Sequence, residues 1–542
     1  MKRNKNIKKN LWIVVVMTLA GLISCESLDE PKPGFLDPAT FLESQQDALD
    51  LLAGAYSGQY SIMSFLKSWI ILNDIGSDDC GYIYAEFPDR VQYDRFIYDP
   101  EYRDILNMWW HHYIIINRAS LVITQVPRMP DHVFDSPAMK KRIIAEARFL
   151  RAVNYFYLVR GWGDVPFFGN NYVSDPVGST DMERTDVETI YDFIIEDLTL
   201  AEQDLWDRTK VEKGRATRGA AQAFLSKVFL TRAGWRLDAN SGEMVQGDPA
   251  NWALAAKWAK KLIDEGEYGL LDSFRLVFPA RPETYSWENN REQIYFVNAV
   301  EEGPWFETKK YYGPRRFDNM GAYSSYVGEI ELYNSFDPAD KRLPATYLMW
   351  VFDRDYNRRF HLNDPKDTWF WWPGLNIPHI GKYLPDEPYY EYPPKENLSG
   401  TNFPLFRYAE VLLIYAEAQN EANGGPDATA IEAYNQVRRR AGLSEWPNVT
   451  GPDGNTYPNT QDGFRQAVRQ ERRYELAFES KRLADLRRWG ILESLIKNRA
   501  TLPDHTQEDV IRAQNITKYH NLWPIPYYEI QRNPKLKQNP GF

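Results

Sequence analysis

A mainly α-helical fold carrying one long irregular insertion follows from three features of the sequence. Apolar residues recur at helical spacing in run after run across residues 37–280, and the pattern returns across residues 403–542. Several of these runs close on glycine stops, among them Gly161-Trp162-Gly163 and Gly424-Gly425. Between the two helical stretches, residues 281–402 lose the period and fill with prolines, glycines and aromatics. A loop region of that length is uncommon unless it is functional or disordered, and its aromatic content argues against disorder.

The chain opens with five basic residues (Lys2, Arg3, Lys5, Lys8 and Lys9), an apolar run over residues 11–23, and then Leu22-Ile23-Ser24-Cys25. That run is short for a membrane span and reads as an export signal over residues 1–24. The four-residue ending resembles the bacterial lipobox, whose cysteine takes a diacylglycerol and becomes the first mature residue. By that resemblance Cys25 is the lipidation site, and several acyl chains give lasting anchorage where one is marginal. A proline-rich tether over residues 25–36 leads to a helix capped near Asp37 to Thr40, where a single domain over residues 37–542 begins.

Composition removes several function classes. Net charge is −11, and the basic leader leaves −16 on the remainder, which opposes nucleic-acid binding. Two cysteines, Cys25 and Cys80, cannot build a disulfide framework or a multi-cysteine metal site. No G-x-S-x-G elbow, P-loop, H-E-x-x-H or dinucleotide fingerprint occurs. The adjacent His111 and His112 diverge by about 100° on a helix, which disfavours joint metal ligation. Acid pairs such as Asp78-Asp79 and Glu301-Glu302 carry no sign of the separation a glycosidase needs, so the chain is read as a non-enzyme.

In order along the scaffold, helices are expected around residues 108–120, within 137–168 up to the Gly161-Trp162-Gly163 stop, and around 187–205, 217–235 and 251–265. The second places Ala145, Phe149, Ala152, Val153, Phe156 and Val159 on one face. Helix pairs of this length, with alanine beside aromatics, look like tetratricopeptide units of roughly 34 residues, though the period is loose. Near the C-terminus, residues 465–490 place Glu471, Glu475 and Glu479 at four-residue intervals with Arg469, Arg472, Arg473 and Arg482 beside them. Val468, Leu476, Phe478, Leu483, Leu486 and Trp489 add apolar bulk. Such mixing suggests a packed helix whose carboxylates meet arginines on a neighbour, and residues 403–423 offer Arg407, Glu410 and Glu417.

The words ERRYELAFESKRLADLRRWG closely resemble the C-terminal signature of the SusD/RagB family of nutrient-binding outer-membrane lipoproteins. Further segments agree: Gly54 and Tyr56, taken to end the first helix; Trp109, Tyr113, Ile116, Asn117, Arg118 and Ala119; the Gly163-Asp164-Val165-Pro166 turn; Phe336, Asp340 and Arg342; and the ending through Pro524-Ile525-Pro526 and Gln538-Asn539-Pro540-Gly541. Ser120 departs from the family's asparagine, so a hydrogen bond there is expected to weaken while the helix survives.

The resemblance implies a SusD-like fold: a tetratricopeptide-like scaffold, about 37–280 and 403–542, bearing a ligand face at about 281–402. It implies glycan binding, a SusC-like TonB-dependent transporter as partner, and a lipid anchor on the outer face of the outer membrane. In residues 73–84, Asp74, Asp78 and Asp79 are candidates to accept hydrogen bonds from sugar hydroxyls, with Tyr82 and Tyr84 as flat faces. In the insertion, Trp305, Tyr311, Tyr312, Trp369, Trp371 and Trp372 are candidates for stacking on sugar rings. No cofactor is expected; the acidic loop leaves a structural calcium open, without EF-hand spacing. A peptide ligand, a surface glycosidase and a protein adhesion module remain as alternatives.

Overall fold

A computed structural model describes residues 42–64, 66–82, 87–171, 181–278, 289–298, 312, 326–348, 350–352, 359–361, 378–383, 401–503 and 505–542. Helices α1 (Gln45–Ser64) and α2 (Leu66–Asn73) lead to strand β1 (Cys80–Tyr82) and the short α3 (Pro88–Asp94). The scaffold then continues through α4 (Arg103–Gln125), α5 (Pro137–Trp162), α6 (Val187–Asp204), α7 (Arg218–Ala233), the hairpin β2 (Trp235–Leu237) and β3 (Met244–Gln246), and α8 (Ala250–Glu265). Within the stretch read as irregular lie β4 (Gln293–Val297), β5 (Tyr326–Gly328), α9 (Ile330–Ser335), α10 (Leu343–Thr346), β6 (Trp350–Phe352) and β7 (Arg359–His361). Strand β8 (Phe403–Arg407) returns the chain to helices α11 (Tyr408–Asn423), α12 (Ala428–Ala441), α13 (Gln461–Leu476), α14 (Arg482–Arg488), α15 (Leu492–Arg499), α16 (Gln507–Asn515) and α17 (Tyr527–Arg532).

Ordinary caps set several of these limits. Ser136 accepts from Met139 N with Pro137 in the first turn of α5, Asp186 caps α6, Thr217 caps α7 and Thr460 caps α13. At the far end of α5, Gly163 turns the chain at φ 72°. Asp164 then accepts from Val187 N at 3.0 Å and Asn240 Nδ2 at 2.9 Å, so the Gly-Asp-Val-Pro turn aims the chain at α6. Helix α1 runs on through Ser64, past the Gly54-x-Tyr56 point taken as its end, and Tyr56 donates to Glu146 of α5 at 2.6 Å. Helix α4 is unbroken at Ser120, which accepts from Arg151 at a long 3.4 Å.

Each scaffold helix packs on the next: α1 on α4, then α5, α6, α7 and α8 in turn, and α8 on α11, which also carries α12 and α13. The contact of α8 with α11 closes the stack across the insertion. Helix starts at residues 103, 137, 187, 218 and 250 leave intervals from about thirty to fifty residues, so no even tetratricopeptide period is established. Ser44–Phe542 form one compact unit. Among the described residues, no helix is long and apolar enough to cross a membrane.

The C-terminal words are a clamp on α5. Trp162 Nε1 donates to Pro524 O at 2.9 Å, Trp523 N to Gly161 O at 2.7 Å, and Asn539 Nδ2 to Trp162 O and Trp523 O at 3.0 and 2.7 Å. Gln538 bonds both backbone groups of Ile525, as a paired strand would.

Candidate functional site

The stem of the insertion is the antiparallel β4–β8 ladder, with Gln293 opposite Arg407 and Val297 opposite Phe403. Three further contacts fasten it: Tyr312, the β1–β5 pair with Cys80 opposite Gly328, and residues 378–383, where Ile380 bridges to Tyr347. All converge on the turn between α13 and α14.

That turn is strained. Helix α13 stops at Leu476, so Glu479 does not continue the stripe of Glu471 and Glu475; the four-residue spacing was right in sequence, but the helix ends before it. Phe478 (φ 60°) and Ser480 (φ 59°) are left-handed without being glycine, a conformation costing roughly 1–2 kcal/mol per residue. Tertiary bonds hold them. Ser480 N and Oγ donate to Asp74 at 2.8 and 2.9 Å, Tyr383 Oη to Phe478 O at 2.9 Å, and Lys382 Nζ to Ala477 O at 2.7 Å.

Behind the turn lies a buried ionic network. Arg407 meets Glu479 at 2.8 Å, Glu292 at 3.0 Å, and Glu475. Arg342 meets Asp340, Glu471 and Glu475 at 2.8, 2.6 and 3.0 Å. Arg440 joins Glu292 at 2.6 Å and also Glu475, Arg438 joins Glu471 at 2.8 Å, and Lys382 joins Glu479 at 2.7 Å. Among the described residues these five cations face five carboxylates, so the burial is compensated. Burial pushes the Glu475 carboxyl up, but Arg440, Arg407 and Arg342 outweigh it and hold the group well below the usual carboxylate range. Burial lowers Lys382 to about 8, against the pull of Glu479. The carboxylates of α13 do meet arginines on neighbouring segments, with Arg407 at the end of β8 and Arg342 before α10 as centres; Glu417 takes Arg488 at 2.6 Å, and Arg469 lies over the Trp489 ring.

The acidic loop is part of this frame. Asp78 accepts from Arg482 through both oxygens at 2.7 Å and pairs with Arg473 at 3.0 Å; Asp79 pairs with Arg473 at 2.7 Å. Asp74 accepts from Tyr312 Oη at 2.9 Å. Asp74, Asp78, Asp79, Tyr82 and Tyr312 are each at most 5% exposed. The carboxylates expected to accept from sugar hydroxyls are turned inward to guanidiniums and hydroxyls and hold the loop. Despite burial, Arg473 and Arg482 keep Asp78 well below the usual range, whereas burial lifts Asp74 to about 6, and burial together with Asp78 lifts Asp79 to about 6. Among the described residues, no group of three or more His, Cys, Asp or Glu side chains is placed to hold a metal ion. Cys80 is a buried thiol whose pKa burial raises.

Aromatic rings continue the frame toward the insertion. Tyr82 and Tyr312 both pack on Tyr326, with centroids 5.5 and 5.8 Å away; Tyr312 stacks on Tyr383 at 5.4 Å, and Tyr383 on Phe403 at 5.6 Å. Tyr82 and Tyr312 are thus brought together, as members of a core row. Cys25, Tyr84, Trp305, Tyr311, Trp369, Trp371 and Trp372 lie outside the described residues. Sequence reasoning passed over Lys382, Tyr383, Tyr326 and Arg440. Arg342 carried a signal in the Phe336-Asp340-Arg342 turn, as Arg407 did beside Glu410 and Glu417.

A family model described as "SusD family" matches residues 376–542, and one described as "Starch-binding associating with outer membrane" matches residues 85–230. SusD-like protein P25 of Formosa agariphila is 26% identical over 97% of each chain. A SusD superfamily protein of Parabacteroides distasonis superposes with TM-score 0.71 at 26% identity, covering 92% of this chain and 99% of that one. A structure described as a laminarin-binding SusD-like protein gives TM-score 0.69 at 22% identity over 92% and 100% of the two chains.

Proposed function

Because this chain belongs to the SusD/RagB family, we propose that it is a glycan-capturing lipoprotein of the outer membrane. In this reading Cys25 bears the lipid, the protein faces outward, and it passes oligosaccharide to a SusC-like TonB-dependent transporter without breaking a bond. The starch-binding description of one matching family model and the laminarin-binding neighbour support a glycan as ligand.

The observation that carries the reading is the fastening of the insertion. A strained turn, a neutralised ionic core and a row of stacked rings fix described residues that flank 299–325, 362–377 and 384–400. Rigid roots lower the ordering cost of loops that grip a ligand. Trp305, Tyr311, Trp369, Trp371, Trp372 and Tyr84 are proposed as the contact surface, while Asp74, Asp78, Asp79, Tyr82 and Tyr312 position it. An aromatic array suits the C–H faces of a sugar polymer.

The test is a binding screen of glycans and peptides against the protein and its Trp305→Ala and Trp369→Ala variants. Saturable glycan binding, weakened in at least one variant, supports the proposal. Binding to peptides alone replaces the ligand class, and turnover of a bound glycan replaces the non-enzymatic reading.

A further inference from the structure

A second charged region, a cavity of about 70 Å³, lies beside α13 and α14, and its wall is cationic. It is lined from α2, α4, α5, α6, α7, β2, α11, α13 and α14, with room for several waters or one small polyatomic ion. Arg160, Lys227, Arg472, Lys481 and Arg487 stand on the wall against two carboxylates, Glu410 and Asp485. Glu410 takes Lys227 at 2.7 Å and lies 3.6 Å from Lys481, and Asp485 takes Arg472 at 2.9 Å. The other two wall arginines, Arg236 and Arg488, are matched by Glu188 at 3.2 Å and Glu417 at 2.6 Å. Among the described residues Arg160 and Arg487 meet no carboxylate within salt-bridge distance, so positive charge is in excess, unlike the balanced network behind the turn.

Polar atoms in this wall are also unmatched. Among the described residues, Trp69 Nε1, Arg472 Nη1 and Arg487 Nε are buried donors without an acceptor, on side chains more than nine-tenths buried. Buried donors of this kind are costly unless something accepts from them. His112 Nε2 is likewise unmatched. Its Nδ1 faces Asn154 Oδ1 at 2.8 Å, and Asn154 Nδ2 donates to Leu150 O, so Nδ1 carries the proton and Nε2 presents a lone pair. Burial lowers the imidazole pKa to about 3, keeping the ring neutral. One wall therefore offers several donors and excess positive charge, together with a few acceptors: the neutral His112 Nε2 and Asn521 Oδ1, and the Glu410 carboxylate. An oxyanion that also carries an O–H complements that set; a fully deprotonated one leaves the neutral acceptors unmet.

We propose that this cavity binds one small protonated oxyanion of the phosphate class, bridging α2, α4 and α5 to α13 and α14. The site is independent of the glycan reading, and its volume admits no sugar chain. The bound ion ties the early helices to the turn on which the insertion is mounted.

The experiment titrates the purified full chain with inorganic phosphate or sulfate by calorimetry, and follows thermal unfolding in both against chloride at equal ionic strength. Phosphate is expected to bind saturably and raise Tm in step with its occupancy, with sulfate at least tenfold weaker. Trp69→Phe removes one donor and Arg160→Gln removes an unpaired charge. Each should weaken phosphate at least tenfold, while Arg160→Gln unfolds in chloride no earlier than the parent. Equal shifts from phosphate and sulfate, or a phosphate response unchanged in both variants, mark a general salt effect and overturn the proposal.

Discussion

Lys382 Nζ lies 2.7 Å from Glu479 Oε1, and neither side chain is exposed to solvent. One residue belongs to the returning limb of the insertion and the other to the turn between α13 and α14, so this pair joins loop to scaffold. Removing one member of a buried pair leaves an uncompensated charge, although here Arg407 still holds Glu479. Lys382→Met is expected to cost about 3 kcal/mol in urea unfolding. The double variant Lys382→Met/Glu479→Gln should lose clearly less than the sum of the two single changes.

Asp74 gives a pH signature. Its folded pKa of about 6 lies above the ordinary 3.8, so its protonated form is favoured on folding. Its contribution to stability is full below about pH 3.8 and is lost as pH rises through about 6. Asp74→Asn, which cannot ionise, should therefore gain on the parent between pH 4 and pH 7 by on the order of 3 kcal/mol. Chemical denaturation across that range measures the difference; a flat difference contradicts the assignment.

Ser480 reverses the usual order of alanine and glycine. At φ 59° its backbone suits glycine, and its hydroxyl serves Asp74. Ser480→Ala keeps the strain and loses the bond, whereas Ser480→Gly loses the bond but relieves the strain. Thermal unfolding should find the glycine variant the more stable by about 1 kcal/mol.

Gly328 tests the fit of β5 on the turn. A Cβ there would stand 2.5 Å from the Tyr347 ring and 3.0 Å from the Phe478 ring. Gly328→Ala is expected to cost about 1–3 kcal/mol through overpacking. Because β5 roots the insertion, glycan affinity should fall with it.

The helices and the importance of residues 465–490 were legible because periodicity and caps are local. Arg407 and Glu417 were also legible as partners, since charge among apolar residues on a helix needs neighbours. The stop at Leu476 was not, because Phe478 and Ser480 are left-handed for tertiary reasons and neither is a glycine or a proline. Asp78 and Asp79 misled for a related reason: a short acidic run looks solvated until Arg473 and Arg482, almost four hundred residues later, are seen beside it. Lys227 as the partner of Glu410 gave no sign in sequence, because it is an ordinary helix residue and α7 meets α11 only in the fold.

Glycan affinity of the Trp305→Ala and Trp369→Ala proteins, measured beside the parent on the ligand that the screen identifies, tests the central claim most directly. The account predicts saturable binding by the parent and a loss of about 1–3 kcal/mol in at least one variant, by analogy with stacking of flat rings on aromatic side chains. Affinity unchanged in both variants, with the fold intact, would place the ligand elsewhere and contradict it.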